Sequence, residues 1–128
     1  MRLIVFDLDY TLWNGKTHQL YPEVKQLLAK LRSDKNNIMT IATHNLHPMR
    51  VLKHLDIKFY FHAVVKGRCD KNIMIQELMN KYNTPQDIIF IDDQLLNMSI
   101  VTQRMPFVKC IWCIRGFDSD DYDAIYNE

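Results

Sequence analysis

No run of about 18 consecutive apolar residues occurs in the 128-residue chain, so a membrane span is not expected. Met1 and Arg2 lead straight into the first apolar segment, which leaves no place for the basic and apolar regions of a secretory leader, and the expected address is cytosolic or nuclear. An excess of either charge is missing as well. Sixteen Lys and Arg against fifteen Asp and Glu give a formal net charge of +1, and a dedicated nucleic-acid binder normally carries a strong basic excess. Cysteine is sparse and odd in number: Cys69, Cys110 and Cys113 cannot all pair, which favours reduced thiols. Cys110 and Cys113 have C-x-x-C spacing, but no second pair and no suitably spaced histidines accompany them. On a strand, residues three apart face opposite ways, so core packing is the expectation. Internal repeats, low-complexity tracts and linkers are absent too, and the length fits one domain, residues 1–128, with little left for a second.

What the chain does contain is organised around Leu3 to Leu12. Leu3-Ile4-Val5-Phe6 is a short continuous apolar run of the kind that forms a strand buried on both faces of a parallel sheet, and it stops on a carboxylate. If the extended conformation persists, Asp7 and Asp9 project to one side and Leu8 to the other. Ligands of open α/β sheets bind at the carboxyl ends of strands, where this pair is placed.

Asn14-Gly15 between short flanks signals a hairpin standing over Asp7. Pro22 suits the first position of a helix in which Val24, Leu27, Leu28 and Leu31 form one apolar stripe. Ile38 to Ala42 reads as a second strand ending on Thr43-His44-Asn45, where Thr43 or Asn45 is placed to cap a helix that Pro48 makes late. A third strand is expected within Phe59 to Val65, a helix over Lys71 to Tyr82, and a fourth strand in Ile88 to Ile91 that stops on Asp92-Asp93. A helix from Leu95 to Gln103, a strand from Val108 to Ile114 and a short acidic helix within Asp118 to Glu128 complete the chain. Strands alternating with helices predict right-handed crossovers and a three-layer, Rossmann-like parallel sheet with helices on both faces. The connections after Asp9 and after Thr43 are too short for a cap domain.

The segment Phe6-Asp7-Leu8-Asp9-Tyr10-Thr11-Leu12-Trp13 carries the pattern D-x-D-x-T and resembles the nucleophile motif of the haloacid dehalogenase superfamily, most closely its small magnesium-dependent phosphatases. Leu20 to Val24 and Cys110 to Arg115 resemble the same family, and the order Asp7/Asp9, Thr43, Lys71, Asp92/Asp93 matches its four motifs. The family carries a longer insertion ahead of Leu20 than the short hairpin here. Membership implies a capless core hydrolysing phosphate monoesters. Asp7 would be the nucleophile that forms an aspartyl-phosphate, Asp9 the general acid and then base. Thr43 would donate to a phosphoryl oxygen, and Lys71, preferred over Lys66 and Arg68, would neutralise the phosphate. Mg²⁺ is the implied cofactor, held by the carboxylates of Asp7 and Asp93 and the backbone carbonyl of Asp9, with Asp92 holding Lys71 or a metal-bound water; either adjacent acid is chemically able to bind directly.

The resemblance further implies Trp13 as a wall of the entrance. His44 stands where the resembling phosphatases carry arginine, which implies a weaker or different substrate contact. Expected substrates are phosphotyrosine or other phosphoprotein groups and sugar phosphates, since an uncapped site admits large molecules as well as small ones; neither a membrane nor a nucleic acid is an expected partner. Three rivals are weighed. A signalling receiver domain would place its adjacent acids on the first strand rather than the fourth. A catalytically idle binding module would have no need of Asp9. A polynucleotide 3′-phosphatase would show a basic track beside the site, and the lysines here are scattered.

Overall fold

The computed structural model describes residues 1–127. Five parallel strands form the central sheet: β1 (Arg2–Phe6), β4 (Asn37–Thr43), β5 (Ala63–Lys66), β6 (Asp87–Asp92) and β7 (Lys109–Trp112) lie in the order β5-β4-β1-β6-β7. β2 (Trp13–Asn14) and β3 (Gln19–Leu20) pair antiparallel as the expected hairpin. The chain moves outward from β1 through β4 to β5, then crosses back to β6 on the other side of β1. That reversal makes the carboxyl end of β1 the topological switch point, where a crevice opens between diverging connections.

Alternation of side chains splits the interior into two cores. Ile4 and Phe6 of β1 join a cluster with Val24, Leu27, Leu28 and Leu31 of α1 (Val24–Ser33), Leu52 of α2 (Pro48–His54) and Ile125 of α5 (Ser119–Tyr126). Leu3 and Val5 point the other way, to Met74, Ile75, Leu78 and Met79 of α3 (Lys71–Lys81) and Met98 and Val101 of α4 (Leu95–Arg104). The expected three layers are therefore present, and β1, β4 and β6 are covered on both sides. Cys110 packs into the second core and Cys113 into the first, as opposite-facing residues should, and all three cysteines are free. Among the described residues no helix is long and apolar enough to cross a membrane.

Four local expectations are corrected. Lys58–Tyr60 is a 3-10 turn and β5 begins only at Ala63; Asp56, with φ of 57°, turns the chain there, and Phe59 points to solvent. Pro22 lies outside α1, because Glu23 adopts a left-handed φ of 71° and delays the helix to Val24. The hairpin turn is longer than Asn-Gly alone: the Asn14 side chain accepts from the backbone N–H groups of Lys16 and Thr17, and His18 takes the positive φ of 60°. Neither Thr43 nor Asn45 caps α2; His47 precedes Pro48 at the helix start.

Candidate active site

The ends of β1, β4 and β6 deliver the site. Asp7 follows β1 and stays in register, its N–H donating to Ile91 O at 2.9 Å, so the ladder carries it alongside Asp92, the last residue of β6. Thr43 ends β4 on the other side, buried, with its Oγ1 accepting from Asn45 N at 3.0 Å and its hydroxyl hydrogen free to donate. Lys71 is the first residue of α3, and its side chain is fully buried.

A buried ammonium requires partners for all three hydrogens. Lys71 Nζ donates to Asp7 Oδ1 at 2.8 Å, to Asp92 Oδ2 at 3.1 Å and to the Ala42 carbonyl at 2.9 Å. Asp92 is heavily engaged: Oδ1 accepts from Gln94 N, and Oδ2 accepts from Asn97 Nδ2 at 2.9 Å as well as from Lys71. Asp93 is half-buried, and among the described residues its carboxylate receives the Thr11 hydroxyl alone, at 3.3 Å; its backbone carbonyl accepts from Trp112 Nε1 at 2.8 Å. Thr11, fully buried, also lies 3.2 Å from Asp7 Oδ2, so one hydroxyl sits between two acids.

Asp7, Asp92 and Asp93 each bring one carboxylate oxygen into a group whose members all lie within 4.8 Å of one another. Oxygens around an octahedral ion at about 2.1 Å stand about 3–4 Å apart, so the three need only close slightly on a small hard cation. The charge count fits a dication: three carboxylates face one ammonium, leaving two negative charges to balance. Burial pushes the Asp7 carboxyl up to about 8, against the pull of Lys71 and helped by the charge of Asp92. Burial raises Asp93 too. Burial alone would lower Lys71, but Asp7 and Asp92 hold its ammonium above the usual range. Without a cation, then, the cluster keeps a proton that an ion would displace.

Asp9, half-buried, lies outside this acid group; Trp13 Nε1 donates to its Oδ1 at 2.7 Å and Asn45 Nδ2 lies 3.2 and 3.3 Å from its two oxygens. Trp13 is buried in the first core and its indole N–H is committed to Asp9. His44 is exposed, with Nε2 2.9 Å from the Cys69 carbonyl just ahead of α3. Of the other cation candidates, Lys66 is exposed and reaches the Leu46 carbonyl, and Arg68 is exposed. The structure thus brings Asp7, Lys71, Asp92 and Asp93 into contact, with Thr43 and Asp9 on the neighbouring strand ends. From the sequence, Thr11 figures only within the D-x-D-x-T pattern and Asn45 only as a candidate helix cap, and Asn97 has no expected role. Asn97 stands five residues after Asp92, one turn into α4, a spacing that could have flagged it; the contact between Asn45 and Asp9 joins separate strand ends and has no local signal.

No family model matches the chain, and no curated protein matches it. Several solved structures resemble it. A haloacid dehalogenase-like family hydrolase from Streptococcus pneumoniae superposes with a TM-score of 0.74 at 15% identity, over 98% of this chain and 90% of the other. The N-terminal part of a Bacteroides fragilis protein, which contains a phosphatase domain and was crystallised in complex with Mg, gives a TM-score of 0.75 at 18% identity; it covers 95% of this chain, which spans 37% of that one. The fold is the haloacid dehalogenase-like α/β fold, here without a cap.

Proposed function

We propose that the chain is a magnesium-dependent phosphomonoesterase working through an aspartyl-phosphate, on phosphotyrosine, other phosphoprotein or sugar-phosphate groups. One observation carries this reading: a fully buried lysine joins Asp7 and Asp92 beside Asp93, at the carboxyl ends of β1 and β6. A lysine placed there balances charge that arrives with a ligand, since a purely structural pair is matched as well by apolar residues. The Mg complex of the Bacteroides fragilis phosphatase domain, together with the all-oxygen donor set, supports Mg²⁺ as the ion. Asp7 and Asp93 are its ligands in this reading, because Asp92 already accepts three hydrogen bonds and Asp93 only one.

The bound ion supplies charge neutralisation for the incoming phosphate. Two unit charges at about 4 Å repel by about 4 kcal/mol at an effective dielectric near 20, so an anionic nucleophile needs that help. Lys71 holds Asp7 Oδ1 and fixes the position of the carboxylate. Asp7 attacks phosphorus as the ester bond breaks, and Asp9 gives a proton to the departing oxygen. Thr43 donates its free hydroxyl hydrogen to a phosphoryl oxygen. Water then attacks the aspartyl-phosphate, Asp9 takes its proton, and Asp7 is restored as inorganic phosphate leaves.

The test is a panel of phosphotyrosine peptides, sugar phosphates and 3′-phosphorylated oligonucleotides, assayed with Mg²⁺ and with chelator for wild type and Asp7→Asn. Hydrolysis that requires both the ion and Asp7 supports the reading. Activity that survives chelator and substitution refutes it.

A further inference from the structure

Asp9 is held in a way the chemistry above does not account for. Its Oδ1 accepts from Trp13 Nε1 at 2.7 Å, a near-ideal contact, and from Asn45 Nδ2 at 3.2 Å, whereas Oδ2 has only Asn45 Nδ2 at 3.3 Å. Both donors are locked in turn. Trp13 pairs with Leu20 in the hairpin, its indole lies 5.4 Å from the His18 ring and edge-on to His54 at 6.5 Å, and it is 8% exposed. Asn45 cannot turn its amide over: Oδ1 accepts from His47 N at 2.8 Å, which leaves Nδ2 as the end facing Asp9. The backbone closes the same loop, because Tyr10 N donates to Trp13 O at 2.7 Å while Tyr10 sits at a left-handed φ of 63°. A non-glycine residue in that region costs of order 1 kcal/mol or more and persists where its surroundings over-determine it.

We propose that Trp13 and Asn45 are positioning residues that anchor Asp9 through Oδ1 and so present Oδ2 as the oxygen that exchanges the proton with the leaving group and then with water. This inference rests on the phosphatase reading. In the first half-reaction the Oδ2–H bond breaks and its proton passes to the ester oxygen while the bond from Asp7 to phosphorus forms. In the second, water's oxygen bonds phosphorus and its proton returns to Oδ2. The anchor couples the hairpin to the β4–α2 loop, so the proton-transfer group is oriented by the body of the fold without a moving cap.

The experiment compares wild type with Trp13→Phe and Asn45→Ser across phosphate monoesters of graded leaving-group basicity, from p-nitrophenyl phosphate to an alkyl phosphate. General acid catalysis is worth about 10²–10⁴-fold, and a poorly basic leaving group has little use for it. Each variant should lose roughly 10–100-fold in kcat/KM, which reports the half-reaction in which the leaving group departs, on the alkyl ester and little on p-nitrophenyl phosphate. In an Asp9→Asn background the same substitutions should add no further loss, since the group they orient is gone. A loss in kcat/KM that is uniform across leaving groups, a loss that persists beside Asp9→Asn, or no loss at all overturns the proposal. Wild type inactive on every ester would instead sink the phosphatase reading and this inference with it. Thermal melting monitors folding, and if Trp13→Phe unfolds, Asn45→Ser decides alone.

Discussion

The buried Asp7 carboxyl makes the ion-free protein sensitive to alkali in a way that can be worked out in advance. In the unfolded chain Asp7 loses its proton near 3.8, whereas in the fold burial holds it to about 8. Between those values the unfolded state binds fewer protons at this position than the folded state, so stability falls as pH rises. Each pH unit is worth about 1.4 kcal/mol, so moving from pH 5 to pH 8 should remove up to about 4 kcal/mol. For a chain of this length that corresponds to roughly 10–20 °C in Tm. The perturbation is a pH series in chelator, read by circular-dichroism melting for wild type and Asp7→Asn. The amide has no proton to lose, so the difference between the two curves separates Asp7, together with the Lys71, Asp92 and Asp93 groups it touches, from the titrating groups elsewhere in the chain. Asp7→Asn should be the more stable protein at pH 8 and lose that advantage toward pH 5. Mg²⁺ should raise the wild-type Tm more at pH 8 than at pH 5, because at pH 5 it competes with the retained proton. Parallel curves for the two proteins in chelator would refute the reasoning.

Three further outcomes follow from the same geometry. Lys71→Met leaves Asp7 and Asp92 buried without their cation and should cost about 3–5 kcal/mol by urea unfolding, with the greatest loss at high pH. Thr11→Val removes the hydroxyl between Asp7 and Asp93 and should weaken Mg²⁺ binding about 10–100-fold in calorimetric titration; unchanged affinity would mean the hydroxyl is bystander packing. Gly116→Ala should destabilise by about 1–3 kcal/mol, because Gly116 has φ of 89° and an added Cβ would lie 2.4–2.8 Å from the Tyr21 ring; a neutral result in urea would show that the ring yields freely.

The strands that were easiest to read are those buried on both faces, since Leu3 to Phe6 and Ile88 to Ile91 announce themselves as unbroken apolar runs and the acids that end them fall where a parallel sheet puts its ligands. The half-buried edge strand β5 was misplaced because its apolar neighbours Phe59 to Phe61 serve a turn, with Tyr60 and Phe61 packed on the first core and Phe59 in solvent. Pro22, and Thr43 or Asn45, mark helix starts in the sequence, but left-handed Glu23 delays α1, and the Asn45 amide faces Asp9 instead of capping α2. The cluster of Asp7, Lys71, Asp92 and Asp93 is legible because its members stand at the borders of strong elements, the acids at the ends of β1 and β6 and the lysine at the start of α3. Thr11, Asn97 and the locked amide of Asn45 are not, because their roles are set by distances across the sheet rather than by neighbours in sequence.

The central place of β1 also governs how the protein is made. Arg2 pairs with Asn37 on one side and with Asp87 on the other, so β1 leaves the ribosome well ahead of its partner β6. At about 5–20 residues per second, that partner follows roughly 5–20 s later. For that interval one edge of an apolar strand has no native ladder, a situation that invites pairing with other nascent chains. The strand order thus places the exposure of this edge in the interval of synthesis.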